Sequence, residues 1–366
     1  TQASSSAASD VYKRQASNDA ARWQAAIERA PSHLQDVHYT PAYMRIYEHT
    51  YDVRGIALLF EEADVCLLQT LMLVALPQDL CEQAELENKY YDARSVYGYG
   101  GPISLGTVTP SEEQKVHFHA ELQAFLLSEQ VITEFCLLHP LLTKLQTPLL
   151  EPSLTLQYPK VVACIDLSPP PEALWAGIAE KQRKAIFTAR NRGIRITRPK
   201  LDNIFFEQFQ ERYLQTMQRV DASKFWHFPS SYFRACHKQL NREGIMVFDA
   251  HLGDTWLASW LLMQAGETAY YHFSANAHST QSGLANALLM LESMLWAKSQ
   301  GYRHYHLGGG RSNDADDSLL KFKSAFDAKL PALFGYNRII NSDIFKRLLA
   351  TLPSEAREDP FFPPYR

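Results

Sequence analysis

The chain has 366 residues, 46% of them hydrophobic, and a formal net charge of −4. That suffices for one large or two medium globular domains. The near-neutral charge excludes a global attraction to nucleic acid or anionic membrane, so DNA is not expected as a partner.

Residues 1–9 are all small or polar, and Asp10-Val11-Tyr12-Lys13-Arg14-Gln15 resembles the translated end of a sequencing adapter. Residues 1–20 are therefore read as a disordered leader, native or not. Residues 21–30 have helical composition and stop at Pro31. Thr40 as N-cap and Pro41 at the first position predict a helix to His49. Residues 56–60 and 65–75 read as strands around the acidic turn Glu61-Glu62-Ala63-Asp64. The longest apolar run, residues 65–76, is broken by Gln69 and Thr70 and is too short to span a bilayer. With no secretory signal recognised, a cytoplasmic location is expected. Cys66, Cys81, Cys136, Cys164 and Cys236 lack C-x-x-C spacing and fit buried thiols in a reducing compartment.

A glycine-aromatic loop follows at Tyr97-Gly98-Tyr99-Gly100-Gly101-Pro102, then a helix over 111–128 and a strand over 131–138. A Pro- and Thr-rich linker near 147–153 separates this half from a second run of the same kind. Its elements are a strand at 161–167, helices at 172–192, 205–219 and 230–241, and a meander at 245–251, 256–264 and 269–274. A long helix over 284–300 is stopped by Gly301. Last come the strand Tyr302–Leu307, the glycines Gly308, Gly309 and Gly310, an acidic loop, and a helical turn in which Leu319, Phe322 and Phe326 form one stripe. Each half gives helix, strands, helix, strand. The reading is α/β with mixed sheets: a first domain over 21–153, a second over 154–345, and a Pro-rich tail over 346–366.

Several segments carry a family likeness. They are Tyr39-Thr40-Pro41-Ala42-Tyr43, the loop from Tyr97 to Pro102, Arg183-Lys184-Ala185-Ile186 with Arg190-Asn191-Arg192-Gly193, and Tyr213 to Arg219 with Phe225 to Phe233. Tyr271-His272-Phe273-Ser274-Ala275 and His306-Leu307-Gly308-Gly309-Gly310 with Asp317 to Lys323 complete the set. In this order the chain resembles the FemAB-like branch of the GNAT acyltransferase superfamily, the peptidoglycan interpeptide-bridge aminoacyltransferases and their relatives. The resemblance implies two tandem GNAT-like domains and no tightly bound cofactor. It further implies aminoacyl-tRNA or acyl-CoA as co-substrate, and an amine on a cell-envelope precursor as acceptor, with peripheral membrane contact where that acceptor is lipid-linked. The acyl-CoA signature is met only in part by Thr280-Gln281-Ser282-Gly283-Leu284-Ala285, whose first position is Thr.

Acyl transfer to an amine needs an anchored donor and hydrogen-bond or charge donors for the oxyanion. The resemblance places the family's functional lysine at Lys323, with Lys321 facing solvent. Tyr271 and His272 are cleft candidates, Tyr271 as proton donor to the leaving group; Asp317 orients the loop or caps the helix. No general base stands out. Gln281 and Gly283, at a helix start, and Gly308 to Gly310 are read as donor- or phosphate-binding. Arg183 and Lys184, in the one basic concentration, contact phosphate or are a solvated helix face. Tyr99, Arg219, Trp226 and Phe228 line the acceptor cleft or pack in the core. His304 and His306 read as satisfied histidines rather than metal ligands, and no metal site is assigned. The esterase alternative for the glycines fails for want of a G-x-S-x-G elbow. A reading of another class remains, a catalytically dead GNAT pair that binds a glycan or nucleotide-sugar.

Overall fold

The computed structural model describes residues 11–15, 20–312, 314, 316–353 and 361–366. Local signals act as their chemistry dictates. The Thr40 hydroxyl accepts from the Tyr43 N–H at 3.2 Å and starts the helix Pro41–Thr50. Ser111 and Gln114 form a reciprocal capping box on Glu112–Ser128. Gly301, at φ +86°, ends the helix Ser282–Ser299. One expected helix, 172–192, is instead two, Pro171–Gly177 and Glu180–Asn191. Between them Ile178 drops into the core and the Ala179 N–H leaves the helix to bond the Ala325 carbonyl at 2.8 Å.

The strands are β1 (Val11–Gln15), β2 (Val53–Glu62), β3 (Val65–Ala75), β4 (Tyr91–Arg94), β5 (Ile103–Ser104), β6 (Val131–Leu137), β7 (Gln157–Val161), β8 (Ala163–Asp166), β9 (Ile194–Thr197), β10 (Ile245–Leu252), β11 (Thr255–Ala265), β12 (Thr268–Asn276), β13 (His304–Gly308) and β14 (Ala332–Ile339). They form two mixed sheets. The first runs β1-β2-β3-β4-β6-β14-β7, with β5 beside β3; the second runs β8-β13-β12-β11-β10-β9. In each, an antiparallel meander leads to a parallel pair whose strands are joined through a long helix. That pair is β4 and β6 across Glu112–Ser128, and β12 and β13 across Ser282–Ser299. The repeat read from the sequence is thus visible as topology.

The sheets divide the chain differently from a single cut at 153. Both β7 and β14 belong to the first sheet, with Arg338 opposite Glu134. The second half therefore sends a strand back to complete the first. Within the set-aside leader, Val11–Gln15 pairs with Ile56–Phe60 of β2; its remaining residues before Ala20 lie outside the described ones. The expected tail contains the end of the helix Ser342–Thr351, and its last residues return to the first sheet, where Tyr365 and Arg366 bond Asp92 at 2.7 and 2.8 Å. Among the described residues no helix is long and apolar enough to cross a membrane.

Among the described residues four apolar clusters are buried, one of them packing Leu80, Ile132, Phe345, Leu348 and Tyr365 together; the other three hold the layers. One lies between the first sheet and Glu112–Ser128, one between the second sheet and Ser282–Ser299, and one joins the halves through Tyr43, Tyr47, Phe209, Tyr232 and Phe273. β14 is also tied electrostatically. Glu134 is fully buried and accepts from Arg338 Nε at 2.9 Å and Tyr336 O–H at 2.8 Å. Arg338→Leu strands this carboxylate, so we expect a loss of roughly 3–5 kcal/mol, read as a lower urea midpoint.

Candidate active site

The second sheet opens beside β13. β12 pairs with β13 only through Thr268–Tyr270, and His272 is the extra residue of a bulge, since Leu261 faces Phe273 while Leu262 faces Tyr271. Beyond that pairing the two strands part, and the glycine turn sits at the exit of β13. Gly308 adopts φ +71°, a conformation that favours glycine. A Cβ on Gly310 would lie 2.4 Å from Asp317 Oδ1, so only glycine fits there.

Asp317 does both things expected of it. Its carboxylate accepts from the N–H groups of Arg311 at 2.9 Å, Ser312 at 3.1 Å and Leu320 at 2.7 Å, clamping the loop while capping the helix Ser318–Ser324. Burial opposes its charge, but these backbone bonds outweigh it and lower the pKa.

Lys323 turns inward from that helix and is 4% exposed. Its Nζ donates to the Gly309 carbonyl at 2.7 Å and lies 5.2 Å from the centre of the Tyr271 ring. Burial pulls its pKa down to about 7, with Asp317 opposing. Lys321 faces outward and pairs with Asp316 at 2.6 Å. Among the described residues nothing accepts from the Gly309 or Gly310 N–H. The Gly308 N–H, by contrast, donates to His306 Nδ1 at 3.1 Å. The turn therefore presents one buried cation and two open backbone donors. Tyr271 keeps its proton, since burial raises its pKa, and its hydroxyl donates to Ser274 Oγ at 2.7 Å. His272 Nε2 lies 2.8 Å from the Tyr232 hydroxyl.

The other expected site residues scatter. Gln281 and Gly283 sit at the start of Ser282–Ser299, where Arg192 donates to Gln281 Oε1 at 2.7 Å and open space surrounds Gly283. Arg183 corrects the phosphate reading. Its Nη1 donates to the carbonyls of Ala176 and Ile178, at 2.9 and 2.7 Å, which ties the guanidinium to the helix break. Lys184 is exposed and pairs with Glu180, a solvated helix face. Two acceptor-cleft expectations are also corrected. Tyr99 is buried and bonded to His306 Nε2 at 3.0 Å, and Phe228 is core, 3% exposed. Trp226 and Arg219 do reach the surface, Trp226 beside Phe225, which is 60% exposed and packs on Tyr97, and Arg219 donating to the Asn276 carbonyl at 2.7 Å.

A buried polar seam between the halves was not foreseen. Asp36 accepts from the backbone N–H of His38 at 3.0 Å, from His38 Nδ1 at 2.7 Å and from the Tyr270 hydroxyl; His139 Nε2 lies 2.7 Å from that hydroxyl. Burial opposes the Asp36 charge, but His139 and His38 outweigh it and hold the carboxyl well below the usual range. Ligand atoms of Asp36, His38 and His139 lie within 4.8 Å of one another. His139 does not fit a metal. Its Nδ1 accepts from the Leu141 N–H at 3.2 Å, which puts the proton on Nε2, the atom that would ligate. No sequence spacing links Asp36, His139 and Tyr270; only the Asp-x-His pair was legible.

Residues 179–323 match the family described as Acetyltransferase (GNAT) domain, a span that ends on Lys323. No curated protein matches the chain by sequence. Among solved structures, FemX superposes with a TM-score of 0.67 at 13% identity, over 89% of this chain and 97% of its own. L-PGS from Bacillus licheniformis gives 0.53 at 13% identity, over 91% and 96%. A tandem GNAT protein from the clavulanic acid biosynthesis pathway gives 0.52 at 10%, over 91% and 98%. Residues 179–323 thus match a GNAT domain, and the chain as a whole has the fold seen in FemX and in that tandem GNAT protein.

Lys323 sets a pH dependence of stability. Below pH about 7 the folded and unfolded chains both hold its proton and the burial penalty stands in full. Between about 7 and the ordinary 10.5 only the unfolded chain does, so stability rises with pH. Urea unfolding should show wild type gaining on Lys323→Met from pH 7 to 10; a constant difference would contradict the shifted lysine.

Proposed function

We propose that this protein moves an acyl or aminoacyl group from a thioester or tRNA-ester donor to an amine of a cell-envelope precursor, a muropeptide or an amino sugar. The observation that carries this is Lys323, a buried ammonium held against the Gly309 carbonyl beside the N–H groups of Gly309 and Gly310, which have no acceptor among the described residues. An ammonium has three N–H bonds and Gly309 takes one. The others, with the two amides, suit the oxygen that becomes negative when an amine attacks a carbonyl, and low local polarity strengthens each contact. To Tyr271, which stays protonated and now donates to Ser274, this reading gives the return of a proton to the departing oxygen or sulfur.

The donor's phosphates are assigned to the start of Ser282–Ser299, where Arg192 donates to Gln281 and the space over Gly283 is open. The partial acyl-CoA signature leaves tRNA ester and thioester as the two donors to try, and the FemX and L-PGS likenesses support aminoacyl transfer. The acceptor is assigned to the side of Tyr97, Trp226 and Arg219. There the exposed Phe225 and Trp226 also offer apolar contact to a lipid-linked acceptor at the membrane surface.

The test mixes purified protein with charged tRNA or acetyl-CoA and candidate amines. We expect transfer to at least one acceptor, and a drop of more than roughly tenfold for Lys323→Ala with its fold intact by circular dichroism, on the order of one lost transition-state contact. Wild-type turnover in that variant would remove Lys323 from the mechanism. Transfer from no donor would favour the glycan- or nucleotide-sugar-binding reading.

A further inference from the structure

Resting on the acyl-transfer reading, one role is still unfilled: the group that takes a proton from the attacking nitrogen. Asp317 is spent on three backbone N–H groups, Tyr271 holds its own proton, and Lys323 is assigned to the oxygen. A chain of hydrogen bonds elsewhere in the interface between the halves points to another residue.

Four side chains run in line, ending on a backbone carbonyl. The Tyr43 hydroxyl lies 2.8 Å from the Tyr97 carbonyl and 3.0 Å from the Tyr47 hydroxyl; Tyr47 lies 3.4 Å from the Tyr232 hydroxyl, and Tyr232 lies 2.8 Å from His272 Nε2. A carbonyl only accepts, so Tyr43 donates to it and must receive from Tyr47. Tyr47, its proton used, receives from Tyr232. In that direction Tyr232, which meets Tyr47 only across 3.4 Å, receives from His272, an arrangement that makes the imidazole the Nε2–H tautomer with Nδ1 as a lone pair. Such a chain is polarised in one direction and strengthens along its length. Burial raises the pKa of Tyr43, Tyr47 and Tyr232 far above the usual value, so all three stay protonated.

His272 is also in the right place. It is the bulge residue where β12 leaves β13, it is partly exposed, and its ring lies 5.9 Å from that of Tyr97, against which Trp226 packs on the acceptor side. We propose that His272, through Nδ1, receives the proton of the acceptor amine, and that Tyr232, Tyr47 and Tyr43 are positioning residues that hold its tautomer. The neutral nitrogen attacks the donor carbonyl and a C–N bond forms. The bond from that carbon to the donor oxygen or sulfur breaks with its electron pair. One proton passes from nitrogen to Nδ1, and one passes from the Tyr271 hydroxyl to the leaving atom. Solvent then takes the first proton and restores the second. Burial holds the free imidazole down to about 3, so the lone pair is open at neutral pH. A nitrogen bonded to the acyl carbon is far more acidic than a free ammonium, so a weak base suffices.

The test has one arm without chemistry and one with it. Nitrogen-15 NMR of the imidazoles should show His272 as Nε2–H in wild type and as a mixture of tautomers in Tyr232→Phe; Nδ1–H in wild type overturns the relay. In the transfer assay, His272→Ala should lose about a hundredfold in kcat, on the order of a general-base contribution. The donor KM should hold, and added imidazole should restore part of the rate. Wild-type kcat in that variant overturns the base. If His272→Ala does not fold, His272→Gln, which keeps an N–H toward Tyr232, carries the same expected loss. Failure of wild type itself to transfer counts against the acyl-transfer reading instead, and the tautomer measurement still decides the relay.

Discussion

A lysine ammonium placed inside a protein is the constraint around which this second half is built. Removing that charge from water is unfavourable unless something else solvates it. Here the Gly309 carbonyl and the face of Tyr271 do so. The carbonyl reaches Nζ because the chain turns at Gly308 in a left-handed conformation. The turn holds because Asp317 gathers the N–H groups of Arg311, Ser312 and Leu320 around one carboxylate. A side chain at Gly310 would push against that carboxylate. The three glycines, the aspartate and the lysine are therefore one unit, and each would be poorly explained alone.

The two halves meet at a second polar assembly, and its role differs. Asp36 gathers His38 and Tyr270, with His139 against the same hydroxyl, and nearby Tyr99 bonds His306, whose other nitrogen receives the Gly308 N–H. A residue near the start of the described chain is thus linked by two short hydrogen-bonded steps and ring packing to the glycine turn. Burial pushes His306 and His38 toward the neutral form, although Asp36 opposes this in both. Such a seam fixes how the first half sits on the second, because a shift of one hydrogen bond leaves a buried polar group unpaired.

Much of this was legible in the residues, where the signal was local. Caps at Thr40 and Ser111, the stop at Gly301, and the meander over β10, β11 and β12 follow from short-range chemistry. The importance of Lys323 comes from the family resemblance; one step off the stripe of Leu319, Phe322 and Phe326, its position alone suits a solvated lysine equally well. What depended on distant pairing was not legible. β14 hides its strand character behind Asn337 and Arg338, which make sense only opposite Glu134 and Gln157. The break at Ile178 follows from a contact with Ala325, nearly 150 residues away along the chain. In the basic run the contact is local but needs the helix break: Arg183 Nη1 meets the carbonyls of Ala176 and Ile178 only because the chain turns between them. Tyr99 and Phe228 look like cleft aromatics until the packing of the halves covers them.

The central claim is that Lys323 is a buried, readily discharged ammonium whose charge is set by its surroundings. An NMR titration of the Lys323 side chain measures this without any assumption about donor or acceptor. The expected midpoint is about 7 in the free protein, moving upward when a stable CoA thioether or aminoacyl-nucleoside analogue brings a carbonyl oxygen to the turn. A midpoint near 10.5, the ordinary value for a solvated lysine, would contradict it.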